Sequence, residues 1–349
     1  MKIYNKAIKK ITNLKRYNKQ SDVLAKIISL AYLTTSTESI LHDKNNKNPE
    51  KGVVEYINKS LNLFHMLRSF SKFQKNNSVS IVKKIGVLKK HKKLWQNIWP
   101  AYESQKEFQD LVDFRNKRFQ FNNIIKFYKN KTVAEFGCGN GSISIGCIQT
   151  GAKSAYATDI GKNNIKFAKM YSKKMGINKK IKFEVKDILK IKNGKNNFDF
   201  LVCSAVLHHL KNFSDFNKAI KKIATYAKDK SYFFVYVAGK GGMRDSIQKR
   251  CVENFQNVDE VYIRKVLTDL NFTRKKITHL VDWFKADYLE CTEQKLNSIL
   301  IKNNFNLVKR LKGPHLTDMD LNQMVEHKFS KVKFGTGELR YLFQYRKKN

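Results

Sequence analysis

The sequence has no pair of cysteines at a spacing that metal sites or disulfide frameworks use. Its five cysteines are dispersed along 349 residues, with no C-x-x-C pair and no Cys/His cluster. Such spacing is typical of unpaired thiols in a reducing compartment. We therefore expect no disulfide framework and no metal site built on cysteine.

Long hydrophobic runs are also missing. Near the N-terminus the apolar patch from Ile27 to Leu33 is interrupted by Ser29 and is far too short to span a bilayer. No small-residue cleavage site follows a typical signal core. These absences predict a soluble, cytoplasmic protein with no transmembrane segment.

Acidic residues are scarce, with 29 against 69 basic residues and a formal net charge of +40. The excess is spread along the chain, because residues 1–130 hold 27 basic and 9 acidic residues, 131–238 hold 20 and 7, and 239–349 hold 22 and 13. Only 11 of the basic residues are arginine, and Lys, Asn, Ile, Phe and Tyr all have AT-rich codons. We interpret the lysines mainly as a solvated surface, with nucleic-acid binding as the second interpretation.

Two regions differ in their hydrophobic pattern. Residues 1–85 show apolar residues at helical spacing, with a polar loop over 42–52. We therefore predict an N-terminal helical region over residues 1–94. Ser104 and Glu107 form a capping-box pattern that predicts a helix running to about Tyr128. Residues 95–349 are expected to form one α/β domain, with inserts at about 240–290 and 312–336.

From Lys131 the chain alternates between short apolar runs and helical segments. The predicted strands are TVAEFG, SAYATD, IKFEVKDI, FDFLVCSAV and SYFFVYVAG. Apolar runs of this length separated by helices indicate a parallel sheet that is covered on both faces.

Three glycines, Gly137, Gly139 and Gly141, follow the first of these strands. In an open α/β sheet this is where ligands bind, and glycine lets a ligand approach the backbone and the N-terminus of the next helix. The dinucleotide fingerprint G-x-G-x-x-G is absent, because Ser142 stands three positions after Gly139. No P-loop pattern G-x-x-x-x-G-K-[ST] is present either.

The pattern E-x-G-x-G-x-G from Glu135 to Gly141 resembles the class I S-adenosylmethionine-dependent methyltransferases. The resemblance covers roughly residues 95–240 well and the C-terminal third loosely. It implies a Rossmann-like, doubly wound, mostly parallel seven-stranded sheet with an antiparallel last strand, next to the N-terminal helical region. It also implies that the chain is an enzyme with S-adenosyl-L-methionine as its cofactor.

The resemblance assigns roles to further residues. Asp159 at the end of strand two matches the acidic residue that binds both ribose hydroxyls, and Asp187 after strand three matches the one that contacts the adenine amine. Asp187 has an alternative role as a helix cap. The predicted cofactor-binding residues are Glu135, Gly137, Cys138, Gly139, Asn140, Gly141, Asp159, Ile160, Asp187, Ile188, Ser204 and Tyr102.

His208 and His209 are the candidate catalytic pair, since histidine acts as a general base near neutral pH. The alternative is that one ring lies in the core and the other faces solvent. Some family members bind a divalent metal through acidic residues around this position, where this chain has Ala205 and His208, so we expect no metal. Tyr102 is a candidate lid over the methionine end of the cofactor, or else an aromatic residue that packs the following helix.

Three functions remain open. A small-molecule or lipid-like methyl acceptor is favoured by the segment SAVLHHL and by the aromatic residues Trp283, Phe284 and Tyr288. An RNA or other nucleic-acid methyltransferase is favoured by charge, but Cys203 to Val206 replace the Asn/Asp-Pro-Pro-aromatic tetrad of enzymes that methylate base amines. The third is a non-catalytic cofactor-binding module, which the intact glycine pattern and Asp159 disfavour.

Overall fold

The structure of the protein is a computed structural model that describes residues 2–43, 45–71, 104–195, 197–312 and 329–347. The chain divides into two units. The first combines Met1–Gly86, Gly241–Asp287 and Asn322–Gly335, and the second combines Val87–Lys240, Tyr288–Leu321 and Thr336–Asn349. Most of the segment predicted as an insert at 240–290 therefore belongs to the same unit as the N-terminal helices.

The described part of the first unit is helical. Apolar positions at helical spacing are buried in it, including Ile11, Ile27, Leu30 and Phe64. The predicted polar loop over 42–52 is too long, because one of the two longest helices of this unit ends at His42 and the next begins at Pro49. Its helices are α1 (Lys2–Asn13), α2 (Gln20–His42), α3 (Pro49–Ser71), α8 (Gly242–Phe255), α9 (Glu260–Asp269), α10 (Arg274–Lys285) and α12 (Ser330–Phe334).

The second unit contains a seven-stranded sheet with the order β3-β2-β1-β4-β5-β7-β6. Strands β1 to β5 are parallel, and β7, the last strand in the chain, runs antiparallel between β5 and β6. This confirms the predicted fold class. The strands are β1 (Thr132–Phe136), β2 (Ser154–Asp159), β3 (Ile181–Val185), β4 (Phe198–Ser204), β5 (Ala227–Ala238), β6 (Phe305–Arg310) and β7 (Glu338–Tyr345).

Helices cover both faces of the sheet because successive strand residues point to opposite sides. On one face Phe200 and Phe234 pack with Phe119, and on the other Leu201 and Phe233 lie in a second core. The first face carries α4 (Gln105–Phe121), α5 (Ser142–Gln149) and α6 (Lys162–Lys174), and the second carries α7 (Phe213–Ala224) and α11 (Glu293–Lys302).

Helix α4 begins as predicted but ends early. The Ser104 Oγ accepts the Glu107 N–H at 3.0 Å. The predicted end near Tyr128 is wrong, because Asn123 adopts a left-handed φ of 54°. The Ile124 N–H then reaches back to the Phe119 carbonyl at 2.8 Å, which is a Schellman ending. None of the helices in the described ranges is long and apolar enough to cross a bilayer.

Candidate active site

The three glycines lie in the loop between β1 and α5. Their φ values are left-handed, at 76°, 54° and 80° for Gly137, Gly139 and Gly141. The N–H groups of Gly137 and Cys138 donate to the Thr158 carbonyl at 2.7 and 2.9 Å, which ties the loop to the end of β2. A Cβ on Gly137 would lie 2.2 Å from Cγ2 of Val206. Both conformation and packing therefore require glycine at position 137.

Two other loop residues, Cys138 and Asn140, are buried with 5% and 2% of their surface exposed. The Asn140 Oδ1 accepts the Ser142 N–H at 3.2 Å, at the start of α5. Burial, together with the nearby Asp159 and Glu135 charges, raises the pKa of the Cys138 thiol well above its usual value. The thiol therefore stays protonated, and both side chains hold the loop in shape.

Glu135, the last-but-one residue of β1, lies beneath the loop. Its Oε2 accepts the Ser144 N–H at 2.9 Å and also bonds the Ser144 hydroxyl, which caps the N-terminus of α5. Burial raises the pKa of the Glu135 carboxyl to about 7, against the opposing effect of the Ser144 bonds. Glu135 thus positions the helix that carries the loop.

The Asp159 carboxylate connects the glycine loop to the turn after β2. Its Oδ2 accepts the Gly139 N–H at 2.9 Å, and its Oδ1 accepts the Gly161 N–H at 2.7 Å and the Asn164 amide at 2.9 Å. Burial raises the pKa of Asp159, and these three bonds oppose the rise. Since a carboxylate has about four acceptor positions, one position on Oδ2 remains open among the contacts of the described residues. The neighbouring Ile160 is half-buried.

Asp187 caps the turn after β3. Its Oδ1 accepts the Leu189 N–H at 2.9 Å, and its carbonyl accepts the Lys190 N–H at 2.8 Å. Within the described ranges its Oδ2 carries no hydrogen bond, so the cap and an adenine contact are compatible. Ile188 lies in the core beside Ile191.

The end of β4 is joined to the end of β5. The Ala205 N–H donates to the Tyr236 carbonyl at 3.0 Å, with Ala205 at a φ of 60°. The preceding residue, Ser204, is half-buried. Ala205 therefore holds a left-handed conformation, which is strained for a residue other than glycine, directly after β4.

The two histidines lie in a short 3-10 turn after β4. The His208 Nδ1 accepts the Ala238 N–H at 2.9 Å, and its Nε2 is 3.1 Å from the His209 Nε2. Because a backbone N–H only donates, a neutral His208 carries its proton on Nε2. His208 is 4% exposed, whereas His209 is half-buried. The structure therefore gives His208 a structural bond and places both rings in one hydrogen-bonded pair.

Sequence reasoning named Tyr288 but missed Tyr236 and Arg340, which lie near this pair. The His208 ring centroid lies 6.0 Å from the rings of both Tyr236 and Tyr288. Tyr236 stands opposite Arg340 on β7, whose guanidinium carbon is 4.3 Å from the Tyr236 ring centroid. No local pattern in the sequence marked Tyr236 or Arg340 as part of a site.

Other expected residues lie elsewhere. Trp283 and Phe284 are 1% and 0% exposed and pack the helical first unit, where the Phe284 and Phe255 rings are 4.5 Å apart. The third of the aromatic residues that favoured a small acceptor, Tyr288, lies near His208. Tyr102 lies outside the described residues. Within the described ranges, no three His, Cys, Asp or Glu side chains form a group that holds a metal ion.

The comparison with known families follows this geometry. A family profile described as "Methyltransferase domain" matches residues 127–304, about half of the chain. The chain belongs to this methyltransferase family. It is an enzyme whose methyl donor is S-adenosylmethionine.

Solved structures with a similar fold include two methyltransferases from bacteria. Magnesium protoporphyrin IX methyltransferase from Synechocystis PCC 6803, with bound SAM, is 14% identical over 73% of this chain and 90% of its own, with a TM-score of 0.42. The N-methyltransferase NodS from Bradyrhizobium japonicum WM9 is 13% identical over 73% and 99%, with a TM-score of 0.43. No curated protein matches the sequence.

The residues present fit the cofactor. A ribose hydroxyl needs an acceptor, which Asp159 retains on Oδ2, and close approach to backbone needs a position without a Cβ, which Gly139 supplies. The loop is already held in place by Glu135 and Thr158, so a ligand meets a preformed surface.

Proposed function

We propose that this enzyme transfers a methyl group to a small-molecule or lipid-like acceptor. One observation carries the proposal: just beyond the end of β4, the His208 ring lies close to the rings of Tyr236 and Tyr288. Apolar pockets with a few polar groups are typical of small-molecule sites. The absence of the base-amine tetrad at Cys203 to Val206 supports the same acceptor class.

The proposed cofactor contacts follow from the loop geometry. The backbone of the glycine loop faces the cofactor, Asp159 binds a ribose hydroxyl through Oδ2, and Asp187 binds the adenine amine through its remaining oxygen. Ile160 and Ile188 flank the adenosine, and Ser204 lies at the methionine end. When bound, S-adenosylmethionine supplies an electrophilic methyl carbon on a sulfonium.

The chain's own contribution to the reaction is alignment. In-line displacement needs the acceptor atom held behind the methyl carbon and water kept out, and such positioning accounts for much of the rate in reactions of this kind. Where the acceptor atom loses a proton, we propose that the pair receives it on the His209 Nε2, once the hydrogen bond from the His208 Nε2–H to that atom opens.

Substitutions at His208 separate catalysis from structure. His208→Asn keeps an oxygen near the Nδ1 position to accept the Ala238 N–H, whereas His208→Leu removes that acceptor. We expect both variants to lose turnover, but only His208→Leu to melt at a markedly lower temperature. Full turnover in His208→Asn, measured with a known acceptor, would refute the catalytic role.

The acceptor class is tested by release of S-adenosylhomocysteine from purified protein, assayed against a metabolite and lipid panel and against RNA. We expect turnover with a small molecule and none with RNA. RNA methylation would establish the alternative that the charge of +40 favours. Cofactor binding without turnover on any substrate would instead support the non-catalytic module.

The five cysteines are all unpaired and buried, which supports the expected cytoplasmic location.

A further inference from the structure

The last residue of β5 sets the protonation of the histidine pair. Ala238 ends β5, and its N–H donates to the His208 Nδ1 at 2.9 Å. This bond places the proton of a neutral His208 on Nε2, which is 3.1 Å from the His209 Nε2. The direction of the Ala238 N–H therefore decides which nitrogen atom of His208 holds a proton and which one accepts a bond.

The chain directly after Ala238 has little to hold it in one conformation by itself. The next residue, Gly239, has no side chain to pack, and glycine has more backbone freedom than other residues. The pairing of β5 with β7 ends at Ala238 and Glu338. The conformation at the end of β5 therefore depends on contacts that are made beyond the paired strands.

Those contacts come from Thr336, two residues before β7. Its Oγ1 accepts the Lys240 N–H at 2.6 Å, and its own N–H donates to the Lys240 carbonyl at 3.0 Å. Since a hydroxyl also donates, a further bond joins the Thr336 Oγ1 to the same carbonyl at 3.2 Å. Thr336 thus binds both backbone groups of Lys240, and we call these bonds the Thr336 latch.

Thr336 is also held from its other side. Its carbonyl accepts a bond from the Arg310 Nη2 at 2.9 Å, and Arg310 pairs with Glu293 at 3.3 Å. The following residue, Gly337, is buried and has a left-handed φ of 65°. A Cβ on Gly239 would collide with the Gly337 carbonyl oxygen and the Thr336 Oγ1. The two segments are therefore in direct contact, and only glycine fits at position 239.

A third segment of the second unit bonds to the same residues. The Leu289 N–H donates to the His208 carbonyl at 2.7 Å, and the next residue, Glu290, pairs with the Lys240 Nζ at 3.3 Å. The side chains of this ion pair are 55% and 29% exposed. Exposed ion pairs contribute little to stability, so the Thr336 latch is the main constraint on Lys240.

We propose that Thr336 is a positioning residue of the active site. It holds Lys240, and thereby the end of β5, so that the Ala238 N–H points at the His208 Nδ1 and the His208 Nε2–H points at His209. The His209 Nε2 is then the atom of the pair that receives a proton from the methyl acceptor. The effect passes through the backbone of β5. This inference rests on the proposed function.

Nuclear magnetic resonance of the full chain tests the latch without turnover. Thr336→Val removes the hydroxyl and keeps the shape of the side chain, whereas Thr336→Ser keeps the hydroxyl. The imidazole nitrogen shifts report the tautomer of neutral His208, and hydrogen exchange reports the bond of the Ala238 amide. We expect the parent and Thr336→Ser to show the Nε2–H tautomer and a protected amide. Thr336→Val should show mixed tautomers and exchange at least about tenfold faster at Ala238, because the end of β5 opens locally.

A second variant and a matched control separate this effect from a general loss of stability. Gly239→Ala forces the latch apart from the other side and should reproduce the result of Thr336→Val. Thr132→Val is the control, because the Thr132 Oγ1 also bonds a backbone carbonyl, that of Asn197 at 3.0 Å, but at the start of β1. It should leave Ala238 exchange within about twofold of the parent.

Three results would overturn the inference: an unchanged His208 tautomer and Ala238 exchange in Thr336→Val, equal changes in Thr132→Val, or a parallel acceleration at the Val202 amide in the centre of the sheet. The last would show that the fold as a whole is destabilised. Because these readouts need no acceptor, RNA methylation would overturn the proposed function and leave the role of the latch standing.

Turnover adds a readout once an acceptor is known. We expect Thr336→Val to lower kcat about tenfold, with recovery in Thr336→Ser, because proton transfer depends on the placement of the histidine pair. The KM for S-adenosylmethionine should stay within about twofold of the parent, since the proposed cofactor contacts lie at the glycine loop and Asp159. A kcat equal to that of the parent would overturn the inference and leave the methyl-transfer function intact.

Discussion

The Glu135 carboxyl shows how burial sets the chemistry of a single residue. Its pKa is raised from 4.5 to about 7, so the folded protein binds this proton more tightly than the unfolded chain does. A group with a raised pKa stabilises the fold fully below the unfolded pKa, and that contribution is lost as pH rises through the folded pKa. The stability that the protonated Glu135 carboxyl contributes is therefore lost between about pH 4.5 and pH 7.

We predict that Glu135→Gln removes this dependence. Urea unfolding of parent and variant between pH 4.5 and 8 should show the parent losing stability relative to the variant as pH rises. Glu184→Gln is the control of opposite sign, because a hydrogen bond from Lys182 lowers the pKa of Glu184. The stability that the ionised Glu184 carboxylate contributes is lost as pH falls, and this contribution is small because Glu184 is largely solvated. Parallel curves for parent and Glu135→Gln would contradict the prediction.

At the scale of elements, the glycine loop depends on both conformation and packing at Gly137. We predict that Gly137→Ala is more destabilising than Gly176→Ala. Gly176 also has a positive φ, 69°, but its Cβ position has nothing within 4 Å. The left-handed conformation costs about 1–2 kcal/mol in both variants, and the collision with Val206 adds about 1–3 kcal/mol at Gly137.

Chemical denaturation of both variants measures this difference. Combining Gly137→Ala with Val206→Ala should recover part of the loss, since the smaller side chain removes the collision and leaves only the backbone strain. Equal stability of the Gly137→Ala and Gly176→Ala variants would show that Val206 moves aside without cost.

The elements themselves were largely predictable, because strand and loop signals are local. The run TVAEFG and the glycines after it specify β1 and its loop without reference to the rest of the chain. The end of α4 was not predictable in this way. Apolar residues continue beyond Phe121, but Asn123 takes a left-handed conformation that ends the helix.

The acceptor side of the site was not predictable either. The pairing of Tyr236 with Arg340 depends on the register of β7 against β5, which are separated by about 100 residues. No local pattern sets that register. The surroundings of Arg115 and Arg118 likewise follow from how α4 packs on the sheet, which no local pattern specifies.

At the scale of the whole molecule, the net charge of +40 is spread over both units instead of being gathered in one segment. We predict weak RNA binding that disappears near physiological salt, because dispersed lysines release few counterions at any single site. Fluorescence anisotropy with a labelled single-stranded RNA across a salt series measures this. Sub-micromolar binding that persists at physiological salt would favour a nucleic-acid acceptor.

We propose that the glycine loop, Asp159 and the sheet edge together form the cofactor site, and this proposal is the central claim. Calorimetric titration of S-adenosylmethionine into the parent and into Asp159→Ala tests it most directly, with Asp199→Ala as the control. Asp199 also has a hydrogen-bonded carboxylate, but it binds Thr132 and Lys228 at the amino ends of β1 and β4.

We predict micromolar binding to the parent and to Asp199→Ala. Binding to Asp159→Ala should be at least about tenfold weaker, since a hydrogen bond to a charged group is worth roughly 1.5–3 kcal/mol and the Gly139 N–H loses its partner. Equal affinity of the parent and Asp159→Ala, or no binding to the parent, would contradict the account.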